Sequence, residues 1–201
     1  MEVKFPWTDA DGKRFINLEE NQWMINFALD KQIPFKYAEK PNPETQVKVE
    51  NIVNYLRGSR NFILIISNNS AYIKSLYYYV SLTWLTTTNQ GFEIAELNTL
   101  DKSDYDYLSK LEKTSLLLVP YTDPGGYELR RIRNIIGNIL IKRKVRYQST
   151  LIDMFIKDDP TKLSWKNIIP SISALSSIYG DQCVSMFLDK DSNSKIIKIK
   201  R

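Results

Sequence analysis

From Asn17 onward the apolar residues Leu18, Met24, Ile25, Phe27, Ala28 and Leu29 recur at helical spacing, with Asn17 as cap, and Pro34 sets the end of this first helix. Lys36 to Pro43 is polar and proline-bearing and suits a surface connection. Asn42-Pro43-Glu44 then gives a cap, a first-turn proline and an acidic first turn for a helix carrying Val47, Val49, Ile52, Val53, Tyr55 and Leu56, which stops at Gly58. The run Asn61-Phe62-Ile63-Leu64-Ile65-Ile66 is apolar on both faces, as in a central strand of a parallel sheet. After the polar turn Ser67-Asn68-Asn69-Ser70, a helix is predicted from about Tyr72 to Thr87.

The pattern repeats in kind. Strands are predicted over 91–97, 115–119, 147–152 and 183–188, and helices over 102–112, 127–143 and 171–179, the last ended by Gly180. The stretch 194–200 alternates Ile with Lys and suits an edge strand or an exposed tail. At the other end, residues 1–16 with the turn Asp11-Gly12 predict a short extended or hairpin segment. Asp9 and Asp11 beside Gly12 do not make a calcium loop, because the later ligands are missing. Alternating strands and helices imply an α/β three-layer sandwich with a mostly parallel sheet. We expect residues 1–44 to form an N-terminal extension and 45–201 the main domain.

Composition narrows the chemistry. Of 201 residues, 43% are hydrophobic and 25% charged, values of a globular chain able to bury its own core. Histidine is absent and Cys183 is the lone cysteine, which removes Ser-His-Asp and Cys-His catalysis, an intrachain disulfide and the usual zinc sites. With no base to activate it, Cys183 is expected to be a buried small hydrophobe. No apolar run spans a bilayer and the first residues lack signal-peptide order, so a cytoplasmic protein without membrane contact is expected. The formal charge of +5 permits a nucleic-acid or acidic partner without arguing for one.

A ligand in this architecture belongs at the carboxyl ends of the strands. After the first strong strand the chain reads Asn68-Asn69-Ser70-Ala71-Tyr72-Ile73-Lys74-Ser75. A phosphate-binding loop has the form G-x-x-x-x-G-K-[ST], in which glycines let backbone N–H groups close around phosphate. Lys74 and Ser75 fall in register at a predicted helix start, but the glycine positions hold Asn68 and Ile73. A β-branched residue is penalised at positive φ, and its side chain would occupy phosphate space. A plain strand-turn-helix is the competing reading of these residues.

The order of segments resembles the AAA+ domain of bacterial replicative-helicase loaders and related transposon ATPases over about residues 45–189. The matching segments are Phe92-Glu93-Ile94-Ala95-Glu96-Leu97, the basic helix Leu129 to Arg143, Gln148 to Ile152, and Ile178 to Met186. The resemblance implies a P-loop NTPase fold in degenerate form. Where the family's magnesium-binding acidic pair belongs stand Pro120-Tyr121, its sensor position falls near Phe155, and its arginine finger is Met186 after Ser185. Loss of these groups implies no efficient hydrolysis. Asn68, Lys74 and Ser75 are then a vestigial cofactor site, with no cofactor expected and ATP with magnesium the candidate it would have served. The partners implied are a replicative helicase or related AAA+ protein, and DNA as a further candidate; a weak ATP-binding protein or ATPase using Lys74 and Ser75 is the alternative.

Other residues have mainly structural readings. Asp123 suits a turn and Glu128 a helix first turn, while Asp153 follows a strand end and is assigned no catalytic role. Arg130, Arg131, Arg133, Lys142, Arg143, Lys144 and Arg146 form a cationic set that is either a solvated face or a contact for nucleic acid or an acidic partner, to which Lys195, Lys198, Lys200 and Arg201 could add. Tyr77, Tyr78, Tyr79 and Trp84 are expected to fill the core rather than stack on bases, and Trp7 and Trp23 to be buried rather than partner anchors.

Overall fold

The computed structural model describes residues 22–34, 41–58, 61–97, 100, 104–121, 129–157, 159–162, 176, 179–188 and 193–200; for residues 22, 129, 130 and 186–188 it describes the backbone alone. In chain order the elements are α1 (Gln22–Asp30), α2 (Pro43–Arg57), β1 (Phe62–Ser67), α3 (Ser70–Thr88), β2 (Phe92–Ile94), α4 (Tyr105–Lys113), β3 (Leu116–Val119), α5 (Leu129–Val145), β4 (Ser149–Phe155), a 3₁₀ turn (Pro160–Lys162), α6 (Asp181–Leu188) and β5 (Ser194–Ile199). The five strands form one sheet in the order β2-β3-β4-β1-β5, and every neighbouring pair is parallel.

Alternation along the strands builds two cores. Ile63, Ile65, Leu116, Leu118 and Leu151 face a layer made by α1, α2 and α3. Phe62, Leu64, Ile66, Leu117, Val119 and Ile152 face α5 and α6, with Leu111 of α4 beside them. The expected three-layer α/β sandwich is therefore present, with β1 central and buried along its whole length. Met24, Ile25 and Ala28 of α1 belong to the same core as α2 and α3, so the expected boundary at residue 44 does not mark the edge of the packing. Tyr77 and Trp84 fill that core as expected, whereas Trp23 is 43% exposed on α1 instead of buried. The expectations for residues 1–16, Trp7, Asn17 and Leu18 lie outside the described residues, as do Asp123, Glu128 and nearly all of the helix expected over 171–179.

Local chemistry sets the helix ends. Asn42 caps α2 by accepting from the Thr45 N–H at 2.9 Å, with Pro43 in the first turn. Along α3 the hydroxyls of Ser81, Thr83, Thr86, Thr87 and Thr88 donate to carbonyls one turn back, which lets a threonine-rich tail stay helical until Asn89 ends it at φ 57°. α5 runs to Val145, two residues past its expected end, and Tyr147 at φ 55° closes it: the Tyr147 N–H donates to the Lys144 carbonyl and the Gln148 N–H to that of Arg143.

The segment 183–188, expected as a strand, is helical in α6. Cys183 and Val184 are buried while Ser185 is exposed, a one-sided burial that a short apolar run does not distinguish from a strand in sequence. Cys183 is the buried thiol expected, with its pKa pushed up to about 12 by burial. α5 and the start of α6 approach closely: a Cβ at Gly137 would meet the Tyr179 carbonyl oxygen at 2.8 Å. Alanine is the better helix former by about 1 kcal/mol, but overpacking against backbone costs about 1–3 kcal/mol. Gly137→Ala is expected to lower the thermal midpoint by roughly 3–6 °C, and calorimetry showing a rise instead would mean that the two backbones part without cost.

Candidate functional site

The site expected from the sequence lies at the carboxyl ends of the strands, where a cleft of about 510 Å³ opens between the start of α3 and the ends of β2, β3 and β4. Ser70, Lys74, Tyr77 and Tyr78 line it from α3, Glu96 from beyond β2, Tyr121 from beyond β3, and Asp153 with Phe155 from β4.

The connection between β1 and α3 is two residues long, Asn68 and Asn69. Three amides here have local partners. The Asn69 N–H donates to Ser67 Oγ at 3.1 Å, the Tyr72 N–H to the Asn69 side chain at 2.9 Å, and the Ile73 N–H to the Asn69 carbonyl at 3.1 Å. Asn69 is thus a helix cap, and α3 starts at Ser70 rather than near Tyr72. Lys74 and Ser75 consequently stand in the second turn of α3 and not at its start. Lys74 is exposed on the rim of the cleft, and the Ser75 hydroxyl donates back to the Ala71 carbonyl at 3.2 Å. Ile73 is 4% exposed and packs in the core, and the Asn68 Oδ1 is buried without a partner among the described residues.

Residues of this kind do not fit a nucleoside triphosphate. Its phosphates need several converging amides from a loop, whereas this turn has two residues and already caps a helix. No group of three or more acidic, Cys or His side chains comes together among the described residues.

At the tip of β3 the chain continues as Pro120-Tyr121, and Tyr121 donates its backbone N–H to Asp153 Oδ1 at 2.8 Å. Asp153, assigned no role from the sequence, sits inside β4 at 6% exposure rather than after it. The hydroxyl of Tyr77 reaches the Val119 and Leu151 carbonyls at 3.2 and 3.4 Å beside this carboxyl. Burial raises the Asp153 pKa to about 6 against the opposing pull of the Tyr121 N–H and the Tyr77 hydroxyl. The signal for it was one acid inside the otherwise apolar run 151–155.

No protein-family model matches this sequence, and no curated protein matches it significantly. Solved structures do match its fold. The chain superposes on the DnaC helicase loader at a TM-score of 0.59 and 15% identity, covering 89% of this chain and 99% of that one. AMPPCP-bound DnaA from Aquifex aeolicus gives 0.55 and 13%, covering 83% and 51%; DnaI gives 0.50 and 13%, covering 83% and 90%. The fold is thus similar to that of the DnaC helicase loader, at an identity too low to carry more than the fold.

Within this fold the cationic set does not form one surface. Arg143 is fully buried, which corrects its expected place as a contact for nucleic acid or an acidic partner. The apolar layer around α5 passes through Ile132, Ile136, Ile139 and Leu140, and Arg143 continues that face. Lys142 and Arg146 both bind Glu112, each at 2.8 Å, and Lys144 bonds Ser194 Oγ with its ammonium 5.5 Å from the Phe62 ring centre. Arg131 is exposed and Arg133 half-buried near the start of α5, and the side chain of Arg130 lies outside the described residues. In the tail, Lys200 pairs with Asp159 at 2.6 Å and Lys195 lies over the Tyr55 ring. Ser185, the residue before the family's finger position, is exposed and donates to the Gln182 carbonyl. No helix among the described residues is long and apolar enough to cross a membrane.

Proposed function

We propose that this protein is a non-hydrolysing AAA+-fold interaction module of DNA replication or mobile-element biology, acting in the cytoplasm on a replicative helicase or a related AAA+ protein. The observation that carries the reading is the two-residue connection from β1 to α3, in which the Asn69 side chain caps the helix by accepting from the Tyr72 N–H and leaves no loop to cradle a phosphate. Pro120 and Tyr121 at the tip of β3 support it, since neither can hold magnesium or activate water.

A protein stripped of nucleotide chemistry acts through its surfaces. We therefore expect binding to the helicase, measured by co-elution on size exclusion, to be unaffected by ATP or ADP. The second reading, nucleotide binding through Lys74 and Ser75, predicts stabilisation by mass action of about 2.7 kcal/mol at one hundred times the dissociation constant. We expect no rise of the thermal midpoint at millimolar ATP or ADP with magnesium. A rise that disappears in Lys74→Ala would establish the second reading, and phosphate release from ATP that is lost in the same variant would overturn the non-hydrolysing one. DNA is the weaker partner, because Arg143 is buried and Lys142 and Arg146 are both paired with Glu112; any binding to it should lose salt dependence when Arg131 and Arg133 are neutralised.

A further inference from the structure

The strand-tip cleft contains a buried carboxyl whose charge is not balanced by any ion pair among the described residues. Asp153 is 6% exposed, and the groups that meet it, the Tyr121 N–H and the Tyr77 hydroxyl, are neutral. Ionising an acid in such a place is costly unless a cation completes it. The carboxyl is also not sealed off: it lines a cleft of about 510 Å³ whose other walls include Tyr78, Tyr121 and Phe155, the last 38% exposed.

We propose that this cleft receives a side-chain cation of a partner protein, an arginine in preference to a lysine, with Asp153 as counter-charge and Tyr78, Tyr121 and Phe155 as aromatic walls. Aromatic faces attract cations, and a weakly hydrated planar guanidinium gains more from such walls than an ammonium does. Lys74 opposes the approach, but it stands exposed on the rim, where solvent screens it and Glu96, also exposed, offsets it. A cage of protein ligands for a metal ion is not assembled here, since no three acidic, Cys or His side chains come together among the described residues. The inference shares with the adaptor reading only the premise that nucleotide does not fill the cleft, and it holds for whichever protein carries the arginine.

The test is an NMR titration of the full chain with N-acetyl-arginine methylamide, with the neutral citrulline analogue, agmatine, magnesium chloride and ADP-magnesium as separate arms. Saturable shifts centred on Tyr78, Tyr121 and Phe155 are expected with the arginine probe, weakened at least tenfold in Asp153→Asn and also weakened in Phe155→Ala. The groups facing or approaching the carboxyl are Lys74, Tyr77 and Tyr78 from α3, Glu96 after β2, Tyr121 after β3, and Tyr179 from the other face of the sheet. Asp153 is ionised above a pKa of about 6, so binding should be tighter at pH 7.5 than at pH 5, and Asp153→Asn should remove that difference. Lys74→Ala should tighten the arginine probe, the opposite of its effect on an anion. Equal binding of the citrulline analogue, no saturable shift, or tenfold tighter binding of agmatine would overturn the proposal, as would magnesium acting alone at these residues. ADP-magnesium shifts at these same residues would overturn the premise common to both readings, whereas failure of the arginine probe without ADP-magnesium binding overturns this proposal alone.

Discussion

Arg143→Met is expected to remove about 3–5 kcal/mol of folding stability, read as a fall in the urea midpoint at unchanged slope. The guanidinium has no access to solvent and is held by oxygen acceptors alone. It donates to the carbonyls of Leu111, Glu112 and Thr114 at 3.0, 3.2 and 2.7 Å, to the Ser149 carbonyl at 2.6 Å and to Thr150 Oγ1 at 3.0 Å. One side chain thus joins the end of α5, the exit of α4 and the start of β4. Burial lowers its pKa to about 9, which still leaves it cationic at neutral pH. Methionine preserves much of the volume but leaves buried carbonyls without donors, each costing about 1–3 kcal/mol unless water reaches it. Lysine is a poor substitute, because a compact ammonium has three donors and no planar fork. By contrast, alanine at the exposed Lys142 or Arg146 should change stability by less than about 1 kcal/mol. A folded Arg143→Met protein within 1 kcal/mol of wild type would show that water replaces the fork.

The burial of Arg143 was legible in phase but not in chemistry. Positions 132, 136, 139, 140 and 143 lie on one helical face, and the apolar residues among them already mark that face as the core side. An arginine there, surrounded by other cations in sequence, looks like one more member of a basic run. Three of its acceptors, the carbonyls of Leu111, Glu112 and Thr114, lie about thirty residues upstream, and the nearer two, on Ser149 and Thr150, come into reach only because Tyr147 turns the chain back; no local pattern announces them. The same distinction separates the rest of the fold. β1 and β3 are continuous apolar runs, and they stand in the structure within one residue of where periodicity puts them. α6 was mistaken for a strand because Cys183-Val184-Ser185-Met186-Phe187-Leu188 satisfies either geometry until its neighbours are known.

At the strand tips, reading the residues against a loop template gave Lys74 and Ser75 the weight that belonged to Asn69. A capping asparagine two residues after a strand already states that the helix begins at once, which leaves no chain for a phosphate loop. Asp153 is the converse case. An acid in the run 151–155 marked the end of the strand expected over 147–152, whereas β4 continues past it, and its setting depends on Tyr77 and Tyr121, which only the sheet order brings to it. The functional reading has moved accordingly, from a worn nucleotide loop to a cleft with its own charge and aromatic lining.

The other large expected effect concerns Glu93, where alanine should cost about 2–4 kcal/mol. Both carboxylate oxygens accept from Lys31 Nζ, at 2.9 and 2.8 Å, and Lys110 approaches Oε1 at 2.9 Å. The Glu93 side chain is 7% exposed and that of Lys31 14%, so truncation strands a largely buried ammonium, while Lys110 at 57% is wet and loses little. Beside this pair the Phe27 and Phe92 rings meet edge-on at 5.2 Å, and together the contacts bind α1 to the short edge strand β2. Glu93→Gln, which keeps the size and an acceptor, should lose less than alanine. The Glu93 hydrogen bond also raises the pKa of Lys110, so the stability that this link contributes is present below the ordinary lysine value and disappears as pH rises through the raised one. That alkaline loss should be absent in the glutamine variant. The slope of the urea transition then decides how α1 belongs to the domain. If Glu93→Ala shifts one transition at unchanged slope, α1 folds with the sheet as its place in the core requires; a shallower slope with a separate early phase would mean that α1 leaves alone and that the domain begins, after all, near residue 44.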